Sequence, residues 1–356
     1  FYNPTSSSNH TLLLHLVGTI DNPNSTLYYP TIATENGFHV INLMYRNWTS
    51  AQTACSMSVD LDCYLNFRKE IIEGVDYSPE INVNAANSIL NRLLKLLEYL
   101  NTTYPTHGWN EYYTGTSINW NKLIVSGHSQ GGGHAAVIGI TEPIQRVLMF
   151  GSPNDYIDTL NTVATWTSLS HVVPDSNYYG FNGYHDDVVD FWQQLEAWDE
   201  LGMTNLGDTV NVDNTPYPYA NSRQLYTKQT STSGLDVGHS VMIRDSQTPT
   251  NLSGEPVFEP VWKYMLGIAD PASTISKNES TPEISVYPNP SNGIICIAQK
   301  GEWQIVNSEL THLTGQIIAT SKSNTIDIRN LSKGVYLLNV YTKNGGVFSE
   351  KIVKID

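Results

Sequence analysis

A chain of 356 residues with 40% hydrophobic content is long enough for one large domain and a small second one. Its formal net charge of −15 argues against nucleic acid or anionic lipid as a partner, because phosphate binding needs clustered Lys and Arg. No run reaches the about 18 consecutive apolar residues of a membrane-spanning helix, so no transmembrane segment is expected.

The sequence opens at Phe1 without an initiator Met, and residues 11–18 already read as a central strand running into a loop. A leader and one or two edge strands are therefore expected upstream. Further strands are expected at 38–44, 122–126, 146–150, 167–173 and 222–227, each a short apolar run, with amphipathic helices between them. This alternation predicts an α/β architecture over residues 1–268, a mostly parallel sheet with helices on both faces. The clearest helix covers 82–102, where Ile89, Leu93, Leu97 and Leu100 recur at helical spacing, a stripe read as core and not as a cofactor surface. A second covers 188–202 and carries Phe191, Trp192, Leu195 and Trp198.

Cys55 and Cys63 bracket seven residues in a polar stretch, which predicts a disulfide in an exported protein and two thiols in a reducing cytosol. Cys296 reads as a small buried apolar residue. Neither C-x-x-C nor H-E-x-x-H spacing occurs, so no metal site is expected. After Gly267 the composition changes: 269–283 is rich in Pro, Ser, Thr and Asn and reads as a linker. Short strands then follow at 284–286, 294–297, 303–306, 317–320, 325–328, 336–341 and 348–353, the pattern of a small β-sandwich over 284–356.

The chemistry-bearing feature is Leu123-Ile124-Val125-Ser126-Gly127-His128-Ser129-Gln130-Gly131, an apolar strand breaking into a G-x-S-x-G turn and then a helix of small residues. Such a nucleophile elbow holds a serine, here Ser129, in strained backbone at the sheet edge, and glycines two residues either side let neighbouring chain pass. A nucleotide-binding turn would instead show G-x-G-x-x-G or Gly-Lys-Ser/Thr. A serine hydroxyl needs a base and a carboxylate behind it, in the order Ser, acid, His on this sheet. His239 is the expected base, since it follows the last strand and a Gly-containing loop at 233–238; His134, His171 and His185 are the weaker choices. Asp186, in Gly183-Tyr184-His185-Asp186-Asp187-Val188-Val189, is the expected acid, with Asp187, Asp155 and Asp175 behind it. Asp187 suits a helix N-cap just before Val188. The oxyanion donors are expected to be the N–H groups of Gln130, next after the nucleophile, and of Thr19, in the loop after the first strand. Trp192, Trp198, Tyr178, Tyr179, Tyr217 and Tyr219 are candidates to line an acyl or aromatic pocket.

Taken together, Leu16-Val17-Gly18-Thr19, the elbow at 127–131, the Asp186 loop and His239 resemble the α/β-hydrolases of the serine esterase and lipase type, over about residues 1–268. With Cys55, Cys63, Arg68, Glu70, Gly127 to Gly133 and Gly238-His239-Ser240, the likeness extends to a bacterial branch of that fold. The resemblance implies a serine hydrolase acting on carboxylic esters through an acyl-enzyme, without a cofactor. An amidase or peptidase would use the same three residues, and a non-catalytic surface binding protein on a hydrolase scaffold is the alternative outside enzymes. At the C-terminus, Tyr287-Pro288-Asn289-Pro290-Ser291-Asn292-Gly293, Leu331-Ser332-Lys333-Gly334-Val335-Tyr336 and Lys351-Ile352-Val353-Lys354 resemble the sorting domain of the type IX secretion system. That likeness implies the type IX machinery as a partner and a secreted or cell-surface location in a Gram-negative bacterium; a carbohydrate-binding accessory sandwich is the alternative. Export in turn favours the Cys55–Cys63 bridge.

Overall fold

The computed structural model describes residues 1–231, 238–269, 283–300, 305–312, 316–343 and 347–355. The chain divides into two compact units, Phe1–Asp270 and Pro271–Asp356.

In the first unit seven strands form, most of them apolar runs buried on both faces. They are β1 (Leu12–Leu16), β2 (His39–Leu43), β3 (Leu123–His128), β4 (Arg146–Phe150), β5 (Tyr178–Gly183), β6 (Val210–Asn211) and β7 (Gln224–Thr227). All pair in parallel, in the order β6-β7-β5-β4-β3-β1-β2. Between them run α1 (Tyr28–Glu35), α2 (Ala51–Cys55), α3 (Cys63–Glu73), α4 (Ile89–Thr103), α5 (Gln130–Thr141), α6 (Phe191–Glu200) and α7 (Glu259–Leu266). The strand period of two sorts the core: Leu12, Leu14 and Leu16 face Phe67, Ile89, Ala135 and Trp198 of α3, α4, α5 and α6, whereas Leu13 faces Tyr29, Ile32 and Trp262 of α1 and α7. This is the α/β-hydrolase fold, a doubly covered parallel sheet with a serine-bearing elbow after a central strand. The chain leaves β1 for β2 on one side and then crosses to β3 on the other, so the sheet order reverses between the carboxyl ends of β1 and β3, where such sheets place their crevice.

Three expected elements differ. No strand forms over 167–173; a 3-10 turn spans Thr165–Ser168, Leu169 and Val172 are exposed, and His171 lies in a loop. The strand is β5, hidden in the sequence by two glycines and an asparagine with poor strand propensity. Gly180 is needed there because a Cβ would stand 2.1 Å from the Trp198 ring. The helix expected from 82 begins at Ile89, since the Asn84 side chain accepts from Asn87 N–H to close a separate turn and the Ser88 hydroxyl then caps α4 from Asn91 N–H. The helix expected over 188–202 is α6, capped by Asp190, whose carboxylate accepts from the N–H groups of Trp192 and Gln193; Asp187 is not its cap.

The second unit comprises β8 (Glu283–Tyr287), β9 (Ile294–Lys300), β10 (Ile305–His312), β11 (Ile317–Ser321), β12 (Thr325–Asp327), β13 (Gly334–Thr342) and β14 (Val347–Lys354). They pair antiparallel in two sheets, β8-β9-β12 and β11-β10-β13-β14. Ile295, Ile297 and Ile326 of one sheet share a core with Leu310, Leu338, Val340 and Ile352 of the other, as in a β-sandwich. The strand expected at 303–306 is the start of β10, and residues 303–304 lie outside the described residues. So does the expected linker from 270 to 282. Cys296 is half-buried and free. Among the described residues no helix is long and apolar enough to cross a membrane.

Candidate active site

Ser129 stands between β3 and α5 with φ 52° and ψ −122°, a conformation that costs a non-glycine residue of order 1–3 kcal/mol and is held by its surroundings. Its N–H donates to the Phe150 carbonyl at 2.8 Å, which ties the turn to β4. The glycines around it are steric requirements: a Cβ on Gly131 would lie 2.0 Å from the Leu16 carbonyl oxygen, and one on Gly127 would lie 2.2 Å from the Gly131 carbonyl carbon. The elbow is thus wedged against the end of β1.

The loop after β1 is fastened from beneath by Asn47. This fully buried side chain donates through Nδ2 to the Gly18 and Asp21 carbonyls at 2.7 and 2.8 Å, and its backbone carbonyl accepts from Ile20 N–H at 3.0 Å. Ile20 is held at φ 61° and is 78% exposed, an unusual state for a β-branched residue. The Thr19 hydroxyl donates to Gln130 Oε1 at 3.1 Å, and the same oxygen accepts from Ala51 N–H at 2.8 Å, so the loop, α2 and the head of α5 are pinned together. Gln130 is the first residue of α5, where backbone N–H groups have no acceptor within the helix. A hydrogen bond between the Thr19 and Gln130 side chains therefore sets two loops side by side next to Ser129.

Asp186 and His239 lie 53 residues apart in sequence, yet His239 Nδ1 is 2.8 Å from Asp186 Oδ2. The same carboxylate accepts from the Val188 and Val189 N–H groups at 2.9 and 2.8 Å and from Gln194 Nε2 at 3.1 Å. Burial by itself would raise the Asp186 pKa, but the imidazole and these N–H donors outweigh it and hold the carboxyl below its ordinary value, so it is ionised at neutral pH. Asp187 serves the backbone instead. Its Oδ1 accepts from Gly238 and His239 N–H at 3.3 and 3.4 Å, holding the chain that carries the imidazole. Close approach needs two glycines, since a Cβ on Gly183 would lie 2.1 Å from the Gly238 oxygen and one on Gly238 would lie 1.8 Å from the His185 oxygen. Of the expected loop at 233–238 only Gly238 is among the described residues.

Ser129, His239, Thr19, Asn154 and Arg244 line one cavity of about 320 Å³, together with Ser50, Gln52, Thr53, Ser240, Ile20 and Val188. The other candidates are engaged elsewhere. Asp155 forms a fully buried fork with Arg68, from Arg68 Nε at 2.6 Å and from Nη2, and accepts from Trp166 Nε1 at 2.7 Å. Arg68 in turn donates to the Gln130 carbonyl at 2.8 Å and to Asn154 Oδ1 at 3.3 Å, so this ion pair supports the head of α5 from below. Asp175 faces His171 at 3.6 Å, and His185 is exposed with its ring edge-on to Tyr184. His134 is buried beside Arg68; burial first, then the guanidinium, holds its pKa well below the ordinary value. His128, within the elbow, places Nε2 3.1 Å from the His239 carbonyl, and burial, then the neighbouring His239, keeps it neutral. None of Trp192, Trp198, Tyr178, Tyr179, Tyr217 and Tyr219 lines the cavity: Trp198 and Tyr178 are packed in the core and Trp192 is exposed on α6.

The sequence pattern does not mark Asn47, Gln194 and Arg68 as supports, because each acts across 26 residues or more or through a single amide that no spacing rule picks out. Cys55 and Cys63 form a disulfide that closes the segment between α2 and α3.

Residues 285–355 match a family model described as a secretion system C-terminal sorting domain. No curated protein matches the chain. Among solved structures, the crystal structure of esterase PE8 is similar at 13% identity and a TM-score of 0.34, covering 74% of this chain and 94% of that one. The crystal structure of CopC from Methylosinus trichosporium OB3b is similar at 17% identity and a TM-score of 0.15, covering 18% of this chain and 76% of that one.

Proposed function

We propose that the first unit is a serine hydrolase that cleaves carboxylic esters, and that the second directs it to a secreted or cell-surface location through the type IX machinery. The observation that carries the catalytic reading is one cavity lined by a strained, elbow-borne Ser129 and by His239, whose far ring nitrogen is 2.8 Å from a buried carboxylate. In this reading Ser129 Oγ attacks the acyl carbon while His239 Nε2 takes the hydroxyl proton. Asp186 holds the Nδ1–H tautomer and stabilises the imidazolium. The Thr19 and Gln130 N–H groups take the developing oxyanion, and removal of one such donor costs about 10²–10³ in kcat in related chemistry. The imidazolium then returns its proton to the departing alkoxide, leaving an acyl-serine. Water, deprotonated by the same imidazole, attacks the acyl carbon and regenerates Ser129, releasing the acid. The proposed location rests on the sorting-domain match at 285–355 and on the Cys55–Cys63 bridge, which suits an oxidising compartment.

Hydrolysis of p-nitrophenyl acetate, run with fluorophosphonate labelling, tests the catalytic part. The intact chain is expected to turn over and take the label, and Ser129→Ala to lose both with its thermal midpoint unchanged or raised. An intact, folded chain that neither turns over nor labels would overturn the assignment.

A further inference from the structure

The walls of the Ser129 cavity are made for a polar guest. Around the nucleophile stand the hydroxyls of Ser50, Thr53 and Ser240, the amides of Gln52 and Asn154, and the Arg244 guanidinium, which pairs with Asp21 at 3.1 Å; among the described residues of the lining, aliphatic side chains come from Ile20 and Val188. An acyl chain of any length would strip water from these groups without replacing its hydrogen bonds, at about 1–3 kcal/mol for each group left unpaired. At about 320 Å³ the cavity is at the small end of ligand pockets, which run from about 300 to 1,000 Å³. Asn154 is the most telling group. Only 6% of its surface is exposed, and its Oδ1 is committed to Arg68, which leaves the NH₂ end as the part that serves the cavity. Arg68 is itself locked by Asp155, so this donor is preorganised.

A second cavity of about 480 Å³ lies along the same loop after β2, with no lining residue in common with the first. Its lining includes Arg46, Trp48, Asn82, Asn84, Asn87 and Arg92, with no carboxylate among the described residues that line it. The loop after β2 connects the two, since Trp48 belongs to one lining and Ser50 to the other, and two residues of extended chain span at most about 7 Å. Trp48 is 67% exposed, and the Arg46 guanidinium lies 5.2 Å from the ring centre, which steadies the indole while leaving most of it to solvent. A flat aromatic face bordered by side-chain amides and guanidinium groups matches a pyranose: its C–H face covers the indole and its hydroxyls pair with the rim.

We propose that the substrate is an ester carried on a carbohydrate chain: the Ser129 cavity takes the esterified sugar with a short acyl group, and the Trp48 cavity takes a neighbouring sugar of the same chain. This rests on the serine-esterase reading above. The neutral and the acidic forms of such a chain share this chemistry, and the two guanidinium groups of the second cavity favour the acidic one.

The test compares acetylated xylan, acetylated pectin, a tributyrin emulsion and p-nitrophenyl acetate as substrates of the intact chain, Trp48→Ala and Arg46→Ala. Neither variant touches the residues assigned to catalysis. The expected result is release of acetate from a polysaccharide, with Trp48→Ala raising KM on it about tenfold, the equivalent of about 1.4 kcal/mol, and leaving kcat and all p-nitrophenyl acetate kinetics within about twofold. Arg46→Ala is expected to weaken acetylated pectin more than acetylated xylan. An active, labelled enzyme that prefers the emulsion would overturn the inference and point instead to a lipid–water interface docking on Met57, Val59 and Leu61, which the disulfide-closed segment exposes. Equal effects of Trp48→Ala on polymer and small ester, or no effect on either, would also overturn it. Failure of fluorophosphonate labelling and of p-nitrophenyl acetate turnover would instead bring down the esterase reading beneath it.

Discussion

The elbow and the Asp186–His239 pair are built in opposite ways. The strained turn at Ser129 itself is shaped by residues close in sequence and by backbone pressing on it: Gly131 against the Leu16 carbonyl, Gly127 against Gly131, and a bond from its own N–H to Phe150. Asp186 and His239 come from loops 53 residues apart and are held by hydrogen bonds to carboxylates: two valine N–H groups and Gln194 on Asp186, and Asp187 on the backbone of the other partner. The contrast teaches where each part is vulnerable. The elbow should tolerate no added atom, whereas the pair should tolerate changes of shape but not of charge or hydrogen-bonding sense.

The largest expected effect is therefore chemical and falls on the pair. Asp186→Asn keeps the size and can still accept from Val188 and Val189 N–H, so the fold should persist, but an amide offers His239 no negative charge and can present the wrong end to Nδ1. On the proposed reading a fall in kcat of about 10⁴ with little change in thermal midpoint is expected, the size seen in characterised Ser-His-Asp sites; a loss under about tenfold would remove Asp186 from the proposed role and break the contrast. Gly131→Ala makes the opposite test. Its Cβ would meet the Leu16 oxygen at 2.0 Å, and overpacking a site walled by backbone should cost about 1–3 kcal/mol or more, read as a lower urea midpoint with activity lost in step. Wild-type stability in that variant would mean that β1 and the elbow can move apart.

Acid sharpens the comparison most gently. His15, His128 and His134 all sit in or against β1, β3 and α5, and burial holds each below its ordinary value of 6.5. For His15 the value is pushed down to about 3, by burial and then by His128. The unfolded chain binds a proton on each near pH 6.5 while the folded chain does not, so the unfolded state gains protons as pH falls and stability declines by about 1.4 kcal/mol per pH unit per histidine below that point. Asp186 has the same sign in a lower window: its lowered pKa contributes stability that is fully present above the unfolded value of 3.8 and is lost as pH falls from there through the folded value. Unfolding between about pH 6.5 and 4 should accordingly be driven from the elbow side. Replacement of His134 by Gln should flatten the slope of unfolding free energy against pH in that window by about 1.4 kcal/mol per unit, and an unchanged slope would show that His134 is not buried neutral.

Local pattern alone made much of this molecule legible. β1, β2, β3, β4 and β7 are short, apolar and bounded by turn residues, so their positions follow from composition, and the elbow announces itself because its glycines and serine are adjacent in sequence. The four-residue spacing of Ile89, Leu93 and Leu97 likewise fixes α4, although not its start, which a side-chain cap decides. β5 was not legible, because Gly180, Asn182 and Gly183 answer to Trp198 and to the Gly238 backbone rather than to strand propensity. The aromatic candidates for a pocket fell away for the same kind of reason: a Trp or Tyr carries the same apolar signal whether it fills a core, as Trp198 does, or borders a site.

What the sequence determined by itself is the part of the protein encoded by neighbours in the chain: an α/β unit followed by a small sandwich, a serine on a strained turn, and the set of carboxylates and histidines from which its neighbours are drawn. Tertiary structure decided which of those groups meet. It gave Asp155 to Arg68 and Asp187 to the His239 backbone, leaving Asp186 for the imidazole, and it brought Asn47 beneath the loop of Thr19. The division follows from range: backbone conformation is set by sterics over a few residues, whereas the pairing of a buried charge is settled by every donor the fold brings within about 3 Å of it.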